Sequence, residues 1–308
     1  MYFPFLRGRQ FELIALRECV EKELISEKVL PIVELVKASP TLMKTLKIYI
    51  EAKRKIIVVR NPKVGNWVKE YSLLSKTAQK ELKDLLASEF VIPAFYVDEN
   101  LGEYIKKTPG GLEGMVLIYD SHKSVRLYEQ VLSDWHPIYN LIPNESWYKR
   151  KIRENRVMWT DHFPQRKRNA DYLEEPVEEF SEDHIYFEDE GFEGFSDFSI
   201  VGKEYNESGF APYAVAIHIV FFDEETNLEL AHFVSDSNDD PGDSAGKYGE
   251  AVSKLVVWNE QRQLNTEGIR MFEKTYNERR YPGLGVAKKY SIMHHLELMS
   301  DYLDGVTK

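Results

Sequence analysis

From Tyr2 to Thr160, short apolar runs alternate with stretches of helical periodicity, and most runs end in polar residues. Such runs suit strands buried on both faces, so the rhythm is that of βα units on a largely parallel sheet. The runs are Tyr2 to Leu6, Val29 to Val33, Ile56 to Val59, Phe90 to Val97, Met115 to Tyr119, His136 to Ile142 and Val157 to Thr160. Helical patterns fall near Gln10 to Leu24, Thr41 to Lys53, Trp67 to Ala87 with a break at Ser75, Val125 to Leu132 and Glu145 to Glu154. Pro93 has no backbone donor and marks the fourth run as edge-like or irregular.

An eighth run, Phe195 to Val201, follows a polar stretch. Eight repeats predict an α/β fold, a TIM-like (β/α)8 barrel, with an open doubly wound α/β sheet as the alternative. Ala214 to Phe222 and Leu228 to Val234 flank the polar Asp223 to Asn227, which reads as an added β-hairpin at about 214–234. C-terminal helices are expected near Tyr248 to Gln261 and Lys288 to Leu303. The chain, 1–308, reads as a single barrel-like domain with an acidic insertion at about 169–193.

The formal net charge of −11, from 40 basic and 51 acidic side chains, argues against generic adhesion to nucleic acid or an anionic membrane. It leaves room for a local basic site. Lys149, Arg150, Lys151, Arg153, Arg156, Arg166, Lys167 and Arg168 precede a stretch, Asp171 to Glu193, without Lys or Arg. Two expectations follow: a mobile insertion folding back on its basic neighbour, or an internal phosphate mimic competing with nucleic acid for Lys149, Arg150, Arg153, Arg166 and Arg168. The single cysteine, Cys19, lies in an amphipathic pattern and reads as a small buried hydrophobe. With no disulfide, no signal-peptide pattern and no apolar run near about 18 residues, the expected location is cytoplasmic.

In a barrel, the C-terminal strand ends converge on one face, where active sites assemble. The residues there are Arg7 and Arg9 after the first run, Glu34 after the second, Arg60 and Asn61 after the third, and Asp98 after the fourth. Asp120 and His122 follow the fifth, Asp161 and His162 the seventh, and Asp197 lies within the eighth. Carboxylates with imidazoles suit a hard cation such as Mg²⁺ or Mn²⁺, held by Asp98, Asp120 and Asp161, and Arg7, Arg9 and Arg60 suit a phosphate. Glu34, Asp120, His122 and Asp197 are then the catalytic candidates for phosphodiester hydrolysis. Noncatalytic binding and ordinary capping use the same residues.

Other motifs are weaker. His218 and His232 fall opposite each other on the hairpin, as a packed, mutually hydrogen-bonded pair or as metal ligands. His294 and His295 are adjacent on a helix and point apart. The loop Asp236 to Gly242 is similar to a calcium loop but has Pro241 at the glycine position and Lys247 at the bidentate Glu position. Thr108-Pro109-Gly110-Gly111 reads as a turn without the lysine of a phosphate-binding loop.

The opening Tyr2-Phe3-Pro4-Phe5-Leu6-Arg7-Gly8-Arg9, with Glu12, Ala15-Leu16 and Leu30-Pro31-Ile32-Val33-Glu34, resembles the phage-associated Beta protein family. Phe195-Ser196-Asp197-Phe198 and the terminal His294-His295 are also similar. The resemblance implies a barrel-like fold and a bacterial or phage-conflict setting, with a nuclease-like protein partner. It draws attention to Arg7, Arg9, Glu34 and Asp197 without assigning roles. The expected function is therefore an anti-phage defence component acting through a polar barrel face, with a metal-dependent phosphoesterase and a nucleic-acid-binding module as alternatives.

Overall fold

In the computed structural model, residues 1–107, 114–131, 136–206 and 212–306 are described, and the Thr108 to Gly111 turn lies outside them. The chain, read above as one domain, divides into two compact units. One comprises Met1–Leu13, Glu27–Asp161 and Asp183–Phe198, and the other Ile14–Ser26, His162–Glu182 and Ser199–Lys308.

The first unit follows the βα rhythm. Strand β1 (Phe5–Leu6) leads to α1 (Gln10–Glu21), whose later residues belong to the second unit. Next come β2 (Ile32–Glu34), α2 (Pro40–Glu51) and β3 (Ile56–Val59). The helical stretch after β3 splits into α3 (Trp67–Leu73) and α4 (Lys76–Leu86), because the Ser75 hydroxyl caps α4 by accepting from Ala78 N–H at 3.2 Å. Then follow β4 (Val91–Tyr96), α5 (Leu101–Lys107), β5 (Val116–Ile118), α6 (His122–Val131), β6 (Tyr139–Ile142), α7 (Ser146–Lys151) and β7 (Arg156–Trp159). The chain then forms β8 (Val177–Ser181), which belongs to the second unit, and returns through α8 (Asp183–Tyr186) to β9 (Gly194–Ser196).

The strands of this unit pair in the order β1-β2-β3-β4-β5-β6-β7-β9, all parallel. A parallel bridge between Tyr2 and Phe195 brings the ends together, with Phe3 N–H donating to Phe195 O and Phe5 N–H to Asp197 O, each at 2.8 Å. This is a TIM-like (β/α)8 barrel. Its interior is filled by alternate strand residues, among them Phe3, Phe5, Ile32, Ile57, Val59, Tyr96, Ile118, Leu141, Trp159 and Phe198.

Two expectations are corrected. Pro93 is not at an edge, since β4 pairs with both β3 and β5. It is tolerated because the β5 ladder begins one residue later, at Ala94↔Val116. The eighth run is a strand only over Gly194–Ser196. Ser199, with φ of 50°, takes the left-handed region and starts a 3-10 turn, Ser199–Val201, which ends the extended chain.

The second unit carries the hairpin of β10 (Ala216–Phe222) and β11 (Leu228–Val234), in the register that sets His218 opposite His232. Asp223 Oδ1 holds the turn by accepting from Glu225 and Asn227 N–H, both at 2.8 Å. Strand β8 adds antiparallel to β11. One sheet face, with Ile217, Ile219, Phe221 and Phe233, packs on Tyr248 and Leu255 of α9 (Ser244–Arg262), Phe272 of α10 (Glu267–Asn277) and Tyr290 of α11 (Leu284–Leu303). No described helix is long and apolar enough to cross a membrane.

The acidic stretch is thus built into both units rather than set apart as an insertion. It does pair with its basic neighbours: Arg166 with Glu175 at 3.0 Å and Glu178 at 2.9 Å, Arg168 with Asp171 at 2.8 Å, and Lys149 with Glu190.

Candidate functional site

The mouth of the barrel begins at Gly8. Its φ is +60°, and a Cβ there would lie 2.7 Å from the carbonyl oxygen of Glu34, so a side-chain-free residue lets the β1–α1 turn close against β2. Arg7 N–H donates to Glu12 Oε2 at 2.7 Å, and its guanidinium forms a buried ion pair with Glu34. The guanidinium also lies 5.2 Å from the Phe198 ring centre.

Glu34 has no exposed surface, yet its carboxylate is well provided for. Oε2 takes the Arg7 guanidinium and a 3.3 Å bond from the Tyr96 hydroxyl, and Oε1 accepts from Lys63 N–H at 2.7 Å. Burial, and secondarily the neighbouring Glu34 charge, push the Tyr96 phenol far up, so it stays a donor. Lys63 continues the network, with its ammonium paired to Asp120 and 4.7 Å from the Tyr96 ring centre. Asn61 clamps the Tyr96 backbone, accepting from its N–H and donating to its C=O at 2.9 Å each, and donates to Asp98 Oδ2 at 3.0 Å.

One polar network therefore joins Arg7, Glu34, Asn61, Asp98 and Asp120, all expected from the sequence. Lys63 and Tyr96 were not expected. Lys63 carries a signal in hindsight, two residues beyond Asn61 in the β3–α3 loop; Tyr96 reads as core. The rim is aromatic: His122, at the start of α6, stacks on Trp147 with ring centres 4.0 Å apart.

Other candidates lie elsewhere. Arg60 follows the outward register of Ile56 and Val58, and its guanidinium donates to the Leu86 carbonyl at the end of α4, away from the mouth. Burial lowers its pKa to about 10. Asp197 also faces outward, buried and accepting from the Tyr2 hydroxyl at 2.8 Å. Arg9 caps the beginning of α1 through its carbonyl, which accepts from Leu13 N–H at 2.9 Å. Asp161 is exposed at the end of the first unit's β7 segment, and His162, in the second unit, packs 5.8 Å from Phe180. Arg153 donates to the Arg150 carbonyl at 3.5 Å.

Among the described residues, no group of three or more His, Cys, Asp or Glu is placed to hold a metal ion. Of the three carboxylates expected to hold Mg²⁺ or Mn²⁺, Asp98 accepts from Asn61 and Asp120 pairs with Lys63, while Asp161 lies beyond β7. The chain matches no family model, no curated protein and no solved structure. The mouth is a prearranged, mostly paired set of charges beside the stacked His122 and Trp147 rings.

In the second unit, His294 and His295 are directed to separate partners. His294 bridges Thr266 Oγ1 at 2.7 Å and the Val220 carbonyl at 2.6 Å, and His295 Nδ1 meets Ser199 Oγ at 3.1 Å. Cys19 is buried and its thiol pKa is raised by burial.

Proposed function

We propose that this protein is a cytosolic component of a bacterial or phage-conflict system, acting through the polar barrel face on a protein partner of the nuclease-like kind. The reading is carried by one observation: the mouth carboxylates are already engaged by Arg7, Lys63, Tyr96 and Asn61, so the face is prearranged for recognition rather than open for metal ligation. Exposed Lys63 and His122 with partly exposed Asp120 and Trp147 give such a face both charge and an aromatic anchor. The barrel itself agrees with what the Beta family resemblance implies. A metal-dependent phosphoesterase lacks comparable support, since its ligands do not cluster among the described residues.

The test is phage challenge of cells carrying the wild-type chain, Lys63→Glu or Trp147→Ala. Loss of protection of about tenfold or more in plating efficiency, with melting temperature preserved, is expected. Full protection by both variants would overturn the reading.

A nucleic-acid role is the second reading, supported by the pairing of Lys149, Arg166 and Arg168 with acidic residues that could mimic phosphate. Asp171→Asn with Glu190→Gln should then raise affinity for duplex DNA and steepen its fall with salt. Unchanged affinity removes this reading.

A further inference from the structure

The second unit holds a proton-wired histidine pair beside a cavity, independent of the barrel face. Arg166 is ion-paired with Glu178 at 2.9 Å. Glu178 Oε1 lies 2.8 Å from His232 Nε2, and His232 Nδ1 lies 2.7 Å from His218 Nδ1. Burial, as the largest cause, lowers both histidine pKa values, His218 well below the ordinary range, so both rings are neutral near pH 7.

The tautomers then follow from donor counting. His232 must donate through Nε2 to the carboxylate, which leaves its Nδ1 as an acceptor. His218 must donate through Nδ1, which leaves its Nε2 lone pair bare. No described residue bonds that nitrogen.

His218 lines a cavity of about 280 Å³ with Phe163, Tyr172, Ile200, Leu284 and Lys288. Tyr172 packs on both imidazoles, with ring centres 4.7 Å from His218 and 4.6 Å from His232. The groups facing the pair are thus Tyr172 and Lys288 at His218, and Glu178 at His232 with Arg166 and Glu175 behind it. An acceptor nitrogen beside aromatic and aliphatic walls, with the Arg166 guanidinium, the Lys288 ammonium and the polar Gln165, Asn169 and Ser291 also in the lining, fits a planar ligand that becomes an anion.

We infer that this cavity is an acid–base site for a small, weakly acidic hydroxyl compound of the phenol or enol class, with His218 Nε2 as its proton acceptor. The ligand O–H bond breaks, its electron pair stays on oxygen, and the proton forms Nε2–H on His218. The Nδ1 proton of His218 passes to Nδ1 of His232, whose imidazolium then faces Glu178. Reversing the two transfers restores the starting state. His232 and Glu178 are positioning residues, because they act through His218.

The probe is 4-nitrophenol, added to the full chain at a pH where the free compound is mostly protonated. The expected result is the long-wavelength absorbance of bound phenolate, absent with His218→Gln. Glu178→Gln keeps His218 in place and should lower the phenolate fraction about tenfold, one unit of apparent acidity, with the probe still bound. In nitrogen NMR of the unliganded wild type, His218 should show Nδ1 protonated and Nε2 bare. No phenolate band with the wild type, the same band with His218→Gln, or a protonated Nε2 would each overturn the proposal.

Discussion

Glu34 shows how much one buried side chain can commit. With no exposed surface, its carboxylate is stable only because Arg7, Tyr96 and the Lys63 backbone all donate to it. Removing it takes the Glu34 carboxylate away from the buried Arg7 guanidinium with which it pairs. Glu34→Ala should therefore lower unfolding free energy by roughly 3–5 kcal/mol in urea titrations, and a loss under about 1 kcal/mol would show the pair to be expendable. His294 makes the opposite commitment, to neutrality: burial holds its pKa at about 4, against an ordinary 6.5. The unfolded chain takes up this proton as pH falls through 6.5, while the native state refuses it until about pH 4. Stability should fall across that window, by on the order of 3 kcal/mol from this group. Comparing urea unfolding at pH 7 and pH 4.5 for the wild type and His294→Asn checks it; equal pH dependence in the two proteins would sink the claim.

At the scale of elements, the β1–α1 turn sets the mouth. Alanine at Gly8 would have to hold φ near +60° and place its Cβ 2.7 Å from the Glu34 carbonyl oxygen. Gly8→Ala should cost about 1–3 kcal/mol and displace Arg7 from Glu34, which thermal unfolding would register as a clear drop in melting temperature. An unchanged melting temperature would show that the turn can relax. The strand positions were legible because each buried strand is a compact apolar run, and Ile56–Val59 falls where its run does. Helix α10 was not, because Gly268 looks like a breaker; it is there because a Cβ would collide with the Tyr290 carbonyl of α11. Strand β8 was hidden for another reason: Val177–Ser181 is acidic, and only pairing with β11 and Arg166 makes it a strand. The mouth was legible in the same measure. Position at or just after a strand end points to Glu34, Asn61 and Asp120, whereas the outward turn of Arg60 and Asp197 depends on strand register.

For the whole molecule, the decisive fact is how the two units are interleaved along the chain. The second unit takes Ile14–Ser26 and His162–Glu182 from within the span that otherwise makes the barrel. Those pieces are held by the C-terminal helices: Glu18 by Lys289 at 2.7 Å, Lys22 by Glu267, and Ser26 N–H by Ser300 Oγ at 2.8 Å. They also bring buried Leu16, Cys19, Val20 and Ile25, and the β8 strand with its β11 pairing. Cutting after Phe198 would preserve every barrel strand, yet it would take away the partners of Glu18, Lys22 and Ser26 and leave the β8 edge unpaired. A chain of residues 1–198 should therefore aggregate or bind a hydrophobic dye strongly, even though it contains the complete eight-stranded sheet. Size-exclusion chromatography with dye fluorescence decides it: a monodisperse, dye-silent fragment would mean the barrel folds alone. The complementary chain, 199–308, lacks β8 and with it Glu178, so His232 there has lost its carboxylate. It also lacks Phe163 and Tyr172, which line the cavity beside His218, so the phenolate signal should be absent from the fragment even where its helices form, which ties the chemistry of the second unit to the continuity of the chain through the first.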